Sequence, residues 1–260
     1  MILQLITNPI GVSSLAKREI LRFLKVYIQT LLPPWINSAL FMYIFGIAIG
    51  GQLSFTVPGI TYLEFIVPGL VTMHMISGAY ENTASSLFIG RWHNNIQEVL
   101  LSPLSYLEMV LGLLAGGVAR GLLVGSGILL IAFAFTGSGI RHPLLLLFFM
   151  LMITIIFSCA GMLAALWADD FDRLNLWNIY VILPMVLLGG VFHPLNLLPE
   201  VLQTFSRFNP IYYLMSAVRY SVTGTAETNI WLCAAMAFLL AGLFGLVTVI
   251  LFKIGYKLRT

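Results

Sequence analysis

The sequence predicts an all-α integral membrane protein with six transmembrane helices, an N-terminal in-plane amphipathic helix, and an outward re-entrant hairpin between spans five and six. Three observations carry that expectation. The 260 residues are 60% hydrophobic and 9% charged, against about 45–50% apolar and about 25% charged in a soluble domain. So few charges cannot cover so much apolar surface, and lipid becomes the solvent for most of the chain. Crossing about 30 Å of hydrocarbon takes about 20 helical residues, so this length holds roughly six spans with short connections. Finally, the apolar runs stop at clusters of basic residues, aspartates and prolines.

The first element is a helix capped at Ser13 or Ser14. It sets Lys17, Arg18, Arg22 and Lys25 on one arc, opposite Ala16, Ile20, Phe23 and Leu24, as in a helix lying on an anionic leaflet. Span one covers Val26 to Ile49 and should bend at Pro33-Pro34, and Gly50 to Thr61 is a loop. Span two covers Tyr62 to Thr83 and holds Glu64, Pro68, His74 and Glu81. Ser85 to Pro103, with Arg91-Trp92-His93-Asn94-Asn95-Ile96-Gln97-Glu98 inside it, is too polar for the bilayer. Span three, Leu104 to Phe135, stacks Gly112 over Gly116, and Gly117 over Gly121 and Gly125, the small-residue steps that bring helix backbones close.

Span four is Pro143 to Trp167, closed by Asp169-Asp170-Phe171-Asp172-Arg173, and span five is Leu174 to Val191. Phe192 to Asn229 contains Pro194, Pro199 and Pro210 and is too short for two spans and a loop, so it reads as two short helices that dip in and return. Tyr212, Tyr213 and Tyr220 suit the bilayer interface, and Arg207 and Arg219 would anchor beside them. A surface loop packed over the bundle is the other reading of this segment. Span six is Ile230 to Phe252. The whole, 1–260, is one membrane domain: 1–25 interfacial helix, 26–191 spans one to five, 192–229 hairpin, 230–252 span six and 253–260 tail.

Six spans put both termini on one side. That side collects Lys17, Arg18, Arg22, Lys25, Arg91, Arg173, Lys253, Lys257 and Arg259, against Arg141, Arg207 and Arg219 on the other, so the termini should be cytoplasmic. Met1 to Ser14 lacks the basic start of a cleavable signal.

The motifs exclude more than they include. No Gly precedes a Lys, so there is no P-loop, and neither H-E-x-x-H nor G-x-S-x-G occurs. Cys159 and Cys233 sit in apolar runs, and His74, His93, His142 and His193 are scattered, so no metal site and no catalytic residue is expected. The aspartates stop a helix from entering lipid; as a magnesium diphosphate site they would need a second acidic loop, which is missing. Arg120, deep in span three, must pair with a neighbour or line a wet path.

Several segments together resemble the membrane subunit of an ABC-2 type exporter. They are Leu188-Gly189-Gly190-Val191, Leu198-Pro199, Pro210-Ile211-Tyr212-Tyr213 and Arg219. Glu64-Phe65-Ile66-Val67-Pro68-Gly69-Leu70 and Asn95-Ile96-Gln97-Glu98-Val99-Leu100 are similar to the bacterial YadH-type and NodJ-type permeases. The resemblance implies a type V exporter-like fold in the bacterial inner membrane. Two copies of this chain would meet two copies of a cytosolic ABC ATPase that carries the ATP and Mg. The permease itself would bind no cofactor and no nucleic acid, and would hydrolyse no ATP. Its coupling helix would use Arg91, Asn95, Ile96, Glu98, Val99 and Leu100; its outward gate Pro194, Pro199, Pro210, Tyr212, Tyr213 and Arg219. The glycine face would supply half of a two-fold channel for an amphipathic drug, lipid or glycan-like cargo. The rival classes are a prenyltransferase-like intramembrane enzyme and an ion-driven secondary transporter. The first lacks its second acidic loop; the second usually shows internal repeats, and none is convincing here.

Overall fold

A computed structural model describes residues 8–48, 60–225 and 227–258, which form a helical bundle without a strand among the described residues. The first helix, α1 (Pro9–Leu24), begins earlier than expected. Asn8, not Ser13 or Ser14, caps it by accepting from Gly11 N at 2.9 Å, and Pro9 fills the first position, where its missing N–H is no loss. Its buried residues Leu15, Glu19 and Phe23 recur every fourth position and lie along α5 (Tyr106–Thr136).

After a short turn at Tyr27–Thr30, α2 (Leu32–Phe41) continues as a π-helix over Met42–Ala48. Pro33 and Pro34 lie in the first turn of α2, so they start this helix rather than bend it. Most of the expected Gly50 to Thr61 loop, and Arg259, lie outside the described residues.

The third helix, α3 (Tyr62–Trp92), opens with a capping box in which Thr61 and Glu64 satisfy each other's backbone N–H. It runs 31 residues, past the end expected at Thr83. The hydrophobic run stops there but the helix does not, because Leu87 and Phe88 are buried and Phe88 and Trp92 pack against Phe171 at 4.7 and 5.7 Å. Only His93 ends it, and a short α4 (Ile96–Leu101) follows. A second capping box, Ser105 with Glu108, starts α5, and Gly137 at φ +65° ends it.

The fourth expected span appears with the expected bounds as α6 (Pro143–Trp167), and α7 (Phe171–Leu188) follows with a π-helical turn at Asn178–Ile182. Then come α8 (Glu200–Phe208), α9 (Pro210–Thr223) and α10 (Ile230–Ile254). Among the described residues four helices, α5, α6, α7 and α10, are long and apolar enough to cross a membrane. The centre belongs to α3, which packs on α5, α6 and α9 and so meets protein on most of its surface.

Close approach at α5 explains its glycines. A Cβ on Gly112 would stand 2.5 Å from Leu15 of α1, and one on Gly116 2.7 Å from Glu19 Cβ. On Gly121 and Gly125 it would stand 2.5 Å from Thr154 Cγ2 and from Met75 Sδ, and Gly117 faces Ser158 and Thr83. The glycine face is therefore spent inside the chain on α1, α3 and α6. This corrects the expectation that it supplies a two-fold contact.

Two clusters mark the ends of the bundle. At one, Ser138 Oγ donates to Glu64 at 2.5 Å, and the backbone N–H groups of Arg141 and His142 donate to Val222 and Ser221 of α9. At the other, Arg91 reaches the carbonyls that end α6 and the carbonyl of Lys257 past α10. The basic residues Arg91, Arg173 and Lys257 belong to contacts at this second, Arg91 end, and Arg22 lines a groove beside α4.

Candidate functional site

Three places concentrate polarity. The first is the Arg91 end. Arg91 donates to the carbonyls of Ala165, Ala168 (3.2 Å) and Lys257 (2.8 Å), so it closes the C-terminus of α6 and holds the chain's tail. It is consumed there, while Asn95 and Glu98 are exposed. Ile96 and Val99 are buried, Leu100 is half-buried, and Leu101 stands 86% exposed. At α4, Asn95, Glu98 and Leu101 thus stand outward, while Ile96, Val99 and Leu100 turn toward the bundle.

Asp170 caps α7 by accepting from Arg173 N at 2.7 Å, and Asp169 pairs with Arg173 and Lys257. The hydrogen bond from the Lys257 ammonium holds the Asp169 carboxyl below the usual carboxylate range. The depressed value means this link is present above the ordinary carboxylate pKa and is lost as pH falls through the lowered one. Asp169 and Asp170 are thus occupied as ion-pair partner and helix cap.

Beside α4 lies a polar knot that sequence reasoning missed. Glu19 is 1% exposed, accepts from Ser86 Oγ at 2.5 Å and pairs with Arg18 at 3.0 Å and Arg22 at 3.3 Å. Arg22 also donates to the carbonyl and side-chain oxygens of Asn82 at 2.7 and 3.1 Å. This fastens α1 to α3. The signal was the step Leu15, Glu19, Phe23, which puts an acid in the middle of a buried stripe.

The second place is deeper. Arg120 of α5 pairs with Glu81 of α3 at 3.0 Å beside a cavity of about 250 Å³ that also contains His74, Asn37, Gln29 and Thr30. Arg120 therefore pairs with a neighbour, one of the two readings the sequence left open, and it does so at the edge of this cavity.

The third is the segment after α7. Pro194 precedes a single turn at Leu195–Leu197, Pro199 stands just before α8, and Pro210 opens α9. Asn209 joins the two helices by donating to Met185 O at 2.5 Å and accepting from Ile211 N, and Ser206 Oγ donates to Leu188 O. Tyr213 donates to Arg207 O at 2.8 Å. Tyr212 is buried, as is Arg219, so neither is the interfacial anchor expected of it. Arg219 pairs with Glu227 at 2.9 Å, donates to Gly190 O and lies 3.8 Å over the Phe65 ring. Glu227 and Gly190 O take guanidinium N–H donors that the oxygens of a head group would otherwise take. Glu227 was missed, although it is an acid following the Gly224 stop of α9.

No group of three or more metal-ligating side chains forms among the described residues.

Residues 11–223 match the family model described as ABC-2 type transporter. The chain is 38% identical over 215 residues to the inner membrane transport permease YadH of Escherichia coli (strain K12), covering 83% of this chain and 84% of that one. It is 26% identical over 196 residues to nodulation protein J of Rhizobium leguminosarum bv. viciae, covering 74% of each. Against nodulation protein J of Rhizobium leguminosarum bv. trifolii it is 29% identical over 189 residues, covering 70% and 71%.

Proposed function

The chain belongs to the ABC-2 type transporter family, and from that premise we propose that it is the permease of an ATP-driven exporter in the bacterial inner membrane. Two copies form the pathway, and each meets a cytosolic ABC ATPase that binds the ATP and Mg; the permease binds no cofactor. The cargo is an amphipathic drug, lipid or glycan-like molecule moved outward by alternating access.

The observation that carries this reading is the division of labour between the two ends of the bundle. The Arg91 end gathers the cations and offers α4 with Asn95, Glu98 and Leu101 outward, a small surface suited to a partner's groove. With that end cytosolic, six spans run as α2, α3, α5, α6, α7 and α10, and α1 rests at the inner leaflet. The α8–α9 pair then enters from outside and returns. The Asn209 turn against Met185 of α7 and the His142–Tyr220 stack at 5.1 Å near the end of α9 support that path. Proline-broken backbone at such depth needs protein partners, and Asn209, Ser206 and Arg219 supply them.

The test is co-expression with the cognate ABC ATPase. A complex with equal numbers of both subunits should form, hydrolyse ATP and drive vesicle uptake of amphiphiles, while the purified permease alone hydrolyses none. Robust hydrolysis by the permease alone, or a complex without transport, would refute the assignment.

Within that complex, Glu98→Lys should leave the permease folded and reduce transport per ATPase complex roughly tenfold, because it reverses charge on the exposed side of α4. Unchanged assembly and transport would mean that the partner docks elsewhere.

A further inference from the structure

The cavity beside Arg120 has a chemistry that helix packing does not account for. It lies between α2, α3 and α5, and its polar lining includes Gln29, Thr30, Asn37, His74, Glu81 and Arg120. The Arg120 side chain is 12% exposed and its partner Glu81 45%. A guanidinium carries five N–H donors. Here one of them meets Glu81, while Arg120 Nε and His74 Nε2 are buried and unpartnered. Unmet polar groups are costly among membrane helices. The site thus offers a cation with donors to spare, opposed by a carboxylate exposed enough to swing aside.

We propose that this cavity binds the anionic oxygen headgroup of an amphipathic molecule, with Arg120 exchanging Glu81 for the ligand. A planar guanidinium suits the paired oxygens of a phosphate or carboxylate. Asn37, Gln29 and Thr30 add neutral donors and acceptors for the atoms next to the charge. An apolar tail also has somewhere to go, since Ile36 and Leu40, neighbours of Asn37 on α2, are 55% and 53% exposed. Naming this ligand as cargo rests on the exporter reading; the binding itself does not.

Calorimetric titration of the full chain in a neutral glycoside detergent tests it, with dodecyl phosphate, a dodecyl glycoside and inorganic phosphate as probes. Dodecyl phosphate should bind saturably. Arg120→Gln should weaken it at least tenfold, Arg120→Lys less, and Glu81→Gln should tighten it severalfold because the competing carboxylate is gone. The glycoside should not respond to any of these changes. Equal affinity in the parent and Arg120→Gln would overturn the site, and a loss in Glu81→Gln would overturn the exchange. Inorganic phosphate binding as tightly as the alkyl phosphate would make this a free-anion site and overturn the amphiphile. Should Arg120→Gln fail to fold, the sign of the Glu81→Gln effect decides. ATP-driven vesicle uptake, measured separately with the partner subunit, can fail while this binding holds, which keeps the two readings distinguishable.

Discussion

Replacing Arg219 with leucine is expected to destabilise the permease by about 3–5 kcal/mol, the usual result of removing one partner from a buried pair. Arg219 is 1% exposed and touches three segments far apart in the chain. It pairs with Glu227 after α9, donates to Gly190 O after α7, and covers the Phe65 ring near the start of α3. Gly190 holds φ +89°, a conformation that favours glycine and points its carbonyl where the guanidinium can take it. Leucine would fill the volume but leave the Glu227 carboxylate and the Gly190 carbonyl without their donor. Lysine should fail nearly as badly, because an ammonium cannot fork to both acceptors and stack on a ring. Glu227→Gln keeps an acceptor for Arg219 and should lose only about 1 kcal/mol. Thermal unfolding of the detergent-purified variants measures all three. An Arg219→Leu protein that melts with the parent would show that the clamp contributes nothing.

That clamp also shows where sequence reasoning reached and where it stopped. Pro143, Trp167 and Ile230 bound long apolar runs, so the bounds of α6 and the start of α10 were legible from hydropathy alone. Hydropathy reports the solvent, however, not the hydrogen bonding. It ended span two at Thr83, while the helix continues to Trp92 on buried Leu87 and Phe88. Partners were the least legible part. Arg219, Arg91 and Glu19 look like surface charges in one dimension, and only the fold reveals that each serves acceptors or donors from a distant segment. The sites nearest a ligand had a mixed fate. Arg120 stood out as a cation inside an apolar run, whereas its partner Glu81 and the orphaned His74 stand among ordinary span-two residues and needed the helix packing to bring them together.

Gly117→Leu is expected to dismantle the protomer itself, with a loss of at least about 3 kcal/mol and little folded material recovered. At Gly117 α5 meets α3 and α6 together: an added Cβ would stand 2.8 Å from Thr83 Cγ2 and 3.0 Å from Ala79 O, and would also press on Ser158. The backbone carbonyl cannot swing away. The same point carries the hydrogen bond from Thr83 Oγ1 to Ser158 O at 2.7 Å, which joins α3 to α6 and would be wedged open. Gly242→Leu and Gly245→Leu are the matched controls, since nothing lies within 4 Å of a Cβ at either position of α10. Leucine is the better helix former there by several tenths of a kcal/mol, so both should stay within about 0.5 kcal/mol of the parent. The contrast separates two uses of the glycine steps in α5. Glycines serving a contact between copies would give a Gly117→Leu chain that folds normally and runs as a monomer by size-exclusion chromatography with light scattering. Glycines serving the packing seen here give a chain that loses its thermal transition before its oligomeric state can be read.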